Sequence, residues 1–84
     1  MEVYQHLEKG GKEVLVLRNG DYIILILNWD RSTFWQSKII RDMGYHYVHT
    51  GHTAGWHMMV ISIKVTTGTD KFLEKLMNND KFWE

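Results

Sequence analysis

Residues 13–29 read EVLVLRNGDYIILILNW, and this stretch decides the fold. Two apolar runs flank Asn19-Gly20. Asn-Gly suits a two-residue type I′ turn, because both central residues need positive φ. Such a turn sets Arg18 opposite Asp21, Leu17 opposite Tyr22 and Val16 opposite Ile23. The opposite charges and the apolar pairs behind them each contribute roughly 0.2–1 kcal/mol. The stretch therefore predicts a β-hairpin. Its strands, Val14–Leu17 and Tyr22–Trp29, are apolar on both faces, whereas a surface strand alternates. Both faces need cover, from helices, from a second chain, or from one of each.

Upstream, Val3, Gln5 and Leu7 alternate like a strand, although Val3 and Leu7 also have helical spacing. Gly10-Gly11, followed at once by a strong strand, favours a first hairpin. Downstream, Asp30-Arg31-Ser32-Thr33 opens a helix, with Asp30 or Ser32 able to accept from a free first-turn N–H. That helix runs to about Met43, and Gly44 supplies its left-handed end. Trp35, Ile39, Ile40 and Met43 fall on one side and are expected to pack on the sheet. Tyr45–Thr50 and Met58–Val65 alternate as two more strands around a loop at residues 51–55. Thr69 or Asp70 caps a second helix whose stripe is Phe72, Leu73, Leu76 and Met77, and Asn78-Asn79 ends it. Phe82 and Trp83 are costly aromatics for a free tail, so the tail is expected to dock on the domain or a partner. The order is β-β-β-α-β-β-α: an α+β fold with a mostly antiparallel, twisted sheet of about five strands and two helices.

Eighty-four residues make a single small α+β domain, 1–84. A chain this size buries only about 60% of its unfolded surface, so a second subunit covering apolar area would help it. Cysteine is absent, which removes disulfides, thiolate metal sites and thiol catalysis together. No signal pattern opens the chain, and the run Tyr22–Leu27 is far too short to span a bilayer. A cytoplasmic protein with no membrane partner is expected. Ten basic residues balance ten acidic ones, which argues against strong nonspecific nucleic-acid binding.

Candidates for chemistry are weak. His46, His49, His52 and His57 crowd one segment, and imidazole binds zinc or copper well. On a strand, however, His46 and His49 point to opposite faces, and no carboxylate in the segment orients a ligand. His49-Thr50 and His52-Thr53 do not match the paired His-x-Thr motifs of two-histidine phosphoesterases, because each threonine directly follows its histidine. Ser32, Ser37 and Ser62 sit in no nucleophile motif, and the glycines form no phosphate-binding fingerprint. No catalytic residue, metal or cofactor is expected, and the chain is read as a non-enzyme. A histidine-dependent metal site or enzyme ranks last among the functional readings.

The outer face of the first helix is more informative. At 100° per residue, Arg31, Phe34, Lys38 and Arg41 fall within an arc of about 80°. Cations aligned with an aromatic suit an acidic patch on a protein, or phosphate contacts combined with base stacking. The same strip can equally be a solvated face that keeps the chain soluble. It is taken here as the main partner-binding surface, with His52 and Trp56 in the adjoining loop as a second.

With its small size, absent cysteine and surplus aromatics, the chain resembles in style the small bacteriophage proteins that bind and disable host enzymes or defence systems. That likeness implies an inhibitor-like interaction role and transfers no site residues. The function expected is a non-enzymatic binding module, a homodimer, that occludes or sequesters a macromolecular partner, with a protein first and nucleic acid second. The alternative is a small RNA- or DNA-binding protein that uses the basic-aromatic face of the first helix.

Overall fold

The computed structural model describes residues 2–45, 47–64 and 68–84, with the backbone alone for 47–50. The elements are β1 (Glu2–Lys9), β2 (Lys12–Asn19), β3 (Tyr22–Asn28), α1 (Phe34–Asp42), β4 (Tyr47–His52), β5 (Met58–Lys64), α2 (Thr69–Met77) and α3 (Asp80–Trp83). A short 3-10 turn, Ala54–Trp56, joins β4 to β5. The five strands form one antiparallel sheet in the order β1-β2-β3-β5-β4. The expected α+β architecture is what the chain adopts, and Val3–Glu8 lies within a strand.

Both hairpins form, but the second differs in register from the Asn19-Gly20 expectation. Asn19 pairs with Tyr22, Arg18 with Ile23 and Leu17 with Ile24, so the two loop residues are Gly20 and Asp21. Positive φ falls on Gly20 (61°) and not on Asp21, the pattern of a type II′ turn. The shift leaves every side chain on its original face, because each strand keeps its alternation. In the first hairpin, Gly10 and Gly11 both have positive φ (59° and 79°), as a type I′ turn requires.

Alternation decides the core. Leu7, Val14, Val16, Ile23, Leu25, Leu27, Met59, Ile61 and Ile63 are buried on one sheet face. The same cluster holds Ile40 of α1, Phe72, Leu73 and Leu76 of α2, and Phe82 and Trp83 of α3. All three helices therefore lie on that face. The tail docks on its own domain: α3 is capped by Asn79, whose Oδ1 accepts from the Phe82 N–H at 3.2 Å. Trp83 Nε1 donates to Leu76 O at 2.8 Å, and Trp29 Nε1 donates to Glu13 O at 2.8 Å. Each buried indole thus finds an acceptor. Among the described residues no helix is long and apolar enough to cross a membrane.

Two helix starts differ from expectation. The N-cap of α1 is Thr33, not Asp30 or Ser32, although Ser32 Oγ accepts from Phe34 N at 3.3 Å. The N-cap of α2 is Gly68 in the left-handed region (φ 76°), not Thr69 or Asp70. Asp70 instead accepts a hydrogen bond from the Tyr4 hydroxyl and so ties β1 to α2. That bond, with smaller contributions from desolvation and the Asp70 charge, raises the Tyr4 pKa above its ordinary 10.0, against a lowering by Arg18. The protonated phenol is the form favoured by folding. Its contribution is fully present below pH 10 and is lost as pH rises through the raised value. Thermal melts between pH 8 and 11.5 should show a small alkaline destabilisation that Tyr4→Phe reduces. An unchanged alkaline slope in Tyr4→Phe would contradict the contact.

Candidate functional site: an aromatic ridge with lysine

The orientation of α1 sets the site. Its buried face is Thr33, Gln36, Ser37 and Ile40, spaced i, i+3, i+4, i+7 as one helical stripe. Three of these four are polar, and hydrogen bonds hold them. Thr33 N and Thr33 Oγ1 both donate to Trp56 O, at 2.7 and 2.5 Å. Gln36 Nε2 donates to Phe82 O at 3.1 Å, and Ser37 Oγ donates to Phe34 O at 2.8 Å. The expected stripe of Trp35, Ile39, Ile40 and Met43 is corrected at Trp35, which is 65% exposed; Ile40 is fully buried, and Ile39 and Met43 are half-buried against the core. The helix is turned so that Thr33 and Gln36 Nε2 meet the carbonyls of Trp56 and Phe82, and the indole of Trp35 is carried outward.

The loop after β4 meets this helix. Trp56 is the one non-glycine with positive φ (62°) among the described residues. For a bulky residue this is a strained conformation, costing about 1–3 kcal/mol, and it persists only where the surroundings hold it. Here the Trp56 carbonyl takes both bonds from Thr33, and Trp56 N donates to Thr53 O at 2.9 Å. The Trp56 ring stacks on the His52 imidazole, with centroids 3.5 Å apart and planes at 12°. His52 Nδ1 lies 3.1 Å from Thr53 O; a carbonyl only accepts, so Nδ1 carries the proton.

Phe34 joins loop to helix. Its ring meets Trp56 edge-on at 5.1 Å and Trp35 edge-on at 5.6 Å. Lys38 Nζ sits 4.8 Å from the Phe34 ring centre and 5.0 Å from that of Trp35, within range of cation–π attraction to both. His52, Trp56, Phe34, Trp35 and Lys38 thus form one continuous ridge. Four of its five members were among the expected binding residues; Trp35 is the addition.

The two arginines flank the ridge. Arg31 lies over the Trp29 ring at 5.9 Å and shares with Trp35, Gln36, Lys81 and Glu84 a hollow of about 320 Å3. Arg41 is exposed in the last turn of α1, three residues beyond Lys38 and so on the adjoining part of the same face. The ridge consequently has a cation over its aromatics and one at each end of the helix.

Elsewhere, a wide groove of about 730 Å3 runs beside α2 and α3, lined by residues that include Met43, Lys71, Lys75 and Asp80. Its lining contains no hydroxyl or thiol nucleophile. Among the described residues no three His, Asp or Glu side chains converge as a metal site. His46 and the side chain of His49 lie outside the described residues. In comparisons with family models, with curated proteins and with solved structures, nothing matches the chain.

Proposed function

We propose that this chain is a non-enzymatic binding module, working as a homodimer, that occludes or sequesters a macromolecular partner through the ridge of Phe34, Trp35, Lys38, His52 and Trp56. One observation carries the reading: Trp35 holds most of its indole in solvent on a helix locked by buried hydrogen bonds. Exposed tryptophan is costly to keep in water and is over-represented where binding energy concentrates. A rigid support lowers the entropy lost on binding.

A protein with an acidic patch beside an apolar pocket is the partner favoured. Lys38, Arg31 and Arg41 supply the complementary charge. Asp30 and Asp42 adjoin the two arginines in sequence, and the chain carries no net charge, so a long polyanion gains little general attraction. The second reading, a single-stranded nucleic acid, draws on the same exposed indole with Lys38 above it, a pairing suited to base stacking beside a phosphate.

Charge reversal tests both. The double variant Lys38→Glu with Arg41→Glu is expected to keep its melting temperature within a few degrees, since Arg41 is exposed and Lys38 is only half-buried, outside the core. Affinity capture from source cells should recover a protein with the unaltered chain and lose it, by tenfold or more, with the variant. Recovery of nucleic acid released by moderate salt would favour the second reading. Equal recovery by the folded variant would reduce the strip to a solvated surface.

A further inference from the structure

Across β2, β3 and β5 the opposite face of the sheet is apolar, and among the described residues it bears no helix. Alternation places Leu15, Leu17, Ile24, Ile26 and Val60 there, each half-buried by its neighbours alone. Val3, paired with Leu17, is 66% exposed, and Tyr22, paired with Lys64, is 38% exposed. The three central strands β2, β3 and β5 supply the apolar centre. Charges gather at its margin: Glu8, Glu13 and His6 at one corner, with His6 Nε2 3.7 Å from Glu13 Oε1, and Lys64 at the end of β5. An apolar centre inside a polar rim is the anatomy of a protein interface.

We infer that this open face is the seat of self-association, and that two copies pack sheet to sheet about a two-fold axis. Area supports a second copy. Five strands at about 4.8 Å spacing and seven residues at about 3.3 Å rise give a face of roughly 24 by 23 Å. Two such faces bury roughly 1,100 Å2, just above the roughly 1,000 Å2 that a specific interface needs. Charge supports it too, because a chain with ten basic and ten acidic residues meets no net repulsion from its own copy. Shape agrees as well: flat twisted sheets pack face to face at about 30°, with side chains interleaving. The pair is then four layers, helix-sheet-sheet-helix, which gives both faces of β2 and β3 the cover their sequences call for.

The helices, α1 included, stay on the outside of such a pair. Both ridges remain open, so the dimer is bivalent and gains avidity on a partner that repeats its site. This last consequence rests on the binding-module reading; the dimer does not.

Sedimentation equilibrium of the full chain from 1 to 200 µM decides it. The expected result is a reversible shift from 10.0 kDa toward twice that mass, with a dissociation constant in the micromolar range. Ile24→Lys with Ile26→Lys should raise that constant at least about tenfold while the circular dichroism of the fold persists. Should that variant unfold, Ile24→Thr with Ile26→Thr keeps β-branched residues at both sites and should weaken association in the same direction. Lys38→Glu with Arg41→Glu should associate normally, which separates the dimer from the ridge. A single 10.0 kDa species throughout the range, or sheet variants that associate as tightly as the unaltered chain, would overturn the inference.

Discussion

Phe82→Ala is expected to destabilise the domain by about 3–5 kcal/mol, the usual cost of emptying a buried phenylalanine site. The ring is fully buried and meets Trp29 edge-on at 5.6 Å and Trp83 edge-on at 5.1 Å. Trp83 in turn stacks on Trp29 at 6.0 Å. The three rings close one end of the core, against the strand that begins the path into α1. Removing the Phe82 ring takes away the edge contacts of both tryptophans and leaves a cavity in the segment whose backbone carbonyl holds Gln36 of α1. A domain of this size has roughly 4–12 kcal/mol in all, so the loss consumes a large part of it. The melting temperature should fall by more than about 12 °C. Asn79→Ala, which removes only the cap of α3, should cost about 1 kcal/mol. A Phe82→Ala chain that melts within about 5 °C of the unaltered protein would mean that α3 does not dock in solution.

The strands were legible because their signals are local. Gly10-Gly11 and the apolar runs around residue 20 each specify a hairpin from a few adjacent residues, and Met59, Ile61 and Ile63 alternate without interruption. The turn position at residues 19–21 was not legible. The two candidate registers differ by two in the sum of paired residue numbers, so each keeps Val14, Val16, Ile23 and Leu25 facing the core. Hydrophobic pattern is blind to that choice, and the flexibility of Gly20 serves either turn.

The site was half legible. The helical arc of Arg31, Phe34, Lys38 and Arg41 follows from 100° per residue, and Phe34 and Lys38 do meet. The buried face of α1 did not follow, because hydropathy counts Thr33, Gln36 and Ser37 as surface. Thr33 and Gln36 are held by long-range partners, Trp56 O and Phe82 O, that lie 23 and 46 residues away, while Ser37 bonds back to Phe34 O within the helix. Turning the helix to satisfy them moves Trp35 from expected core to ridge. The one local hint was that Trp35 follows Phe34 directly, so a single helix cannot bury both rings on one stripe. The junction of His52 and Trp56 with Phe34 depends on the positive φ of Trp56, which no residue preference signals.

Trp35→Ala carries the other large expected effect, and it falls on binding rather than stability. Trp29 and Trp83 are each 5% exposed, whereas Trp35 is 65% exposed; truncating it removes little core, and the melting temperature should stay within about 4 °C. A central tryptophan in an interface is commonly worth 2 kcal/mol or more on truncation, about 30-fold in affinity. Trp56→Ala should weaken binding too, but with a stability cost, since its ring braces Phe34 and His52. The pairing of an unchanged fold with a lost contact is therefore specific to Trp35. The direct measurement is the affinity of a captured partner for the unaltered chain and for Trp35→Ala, by calorimetry at matched salt and with melting curves of both. A loss of about 30-fold at an unchanged melting temperature is expected. An affinity within twofold, in a variant that remains folded, would contradict the ridge as the contact surface.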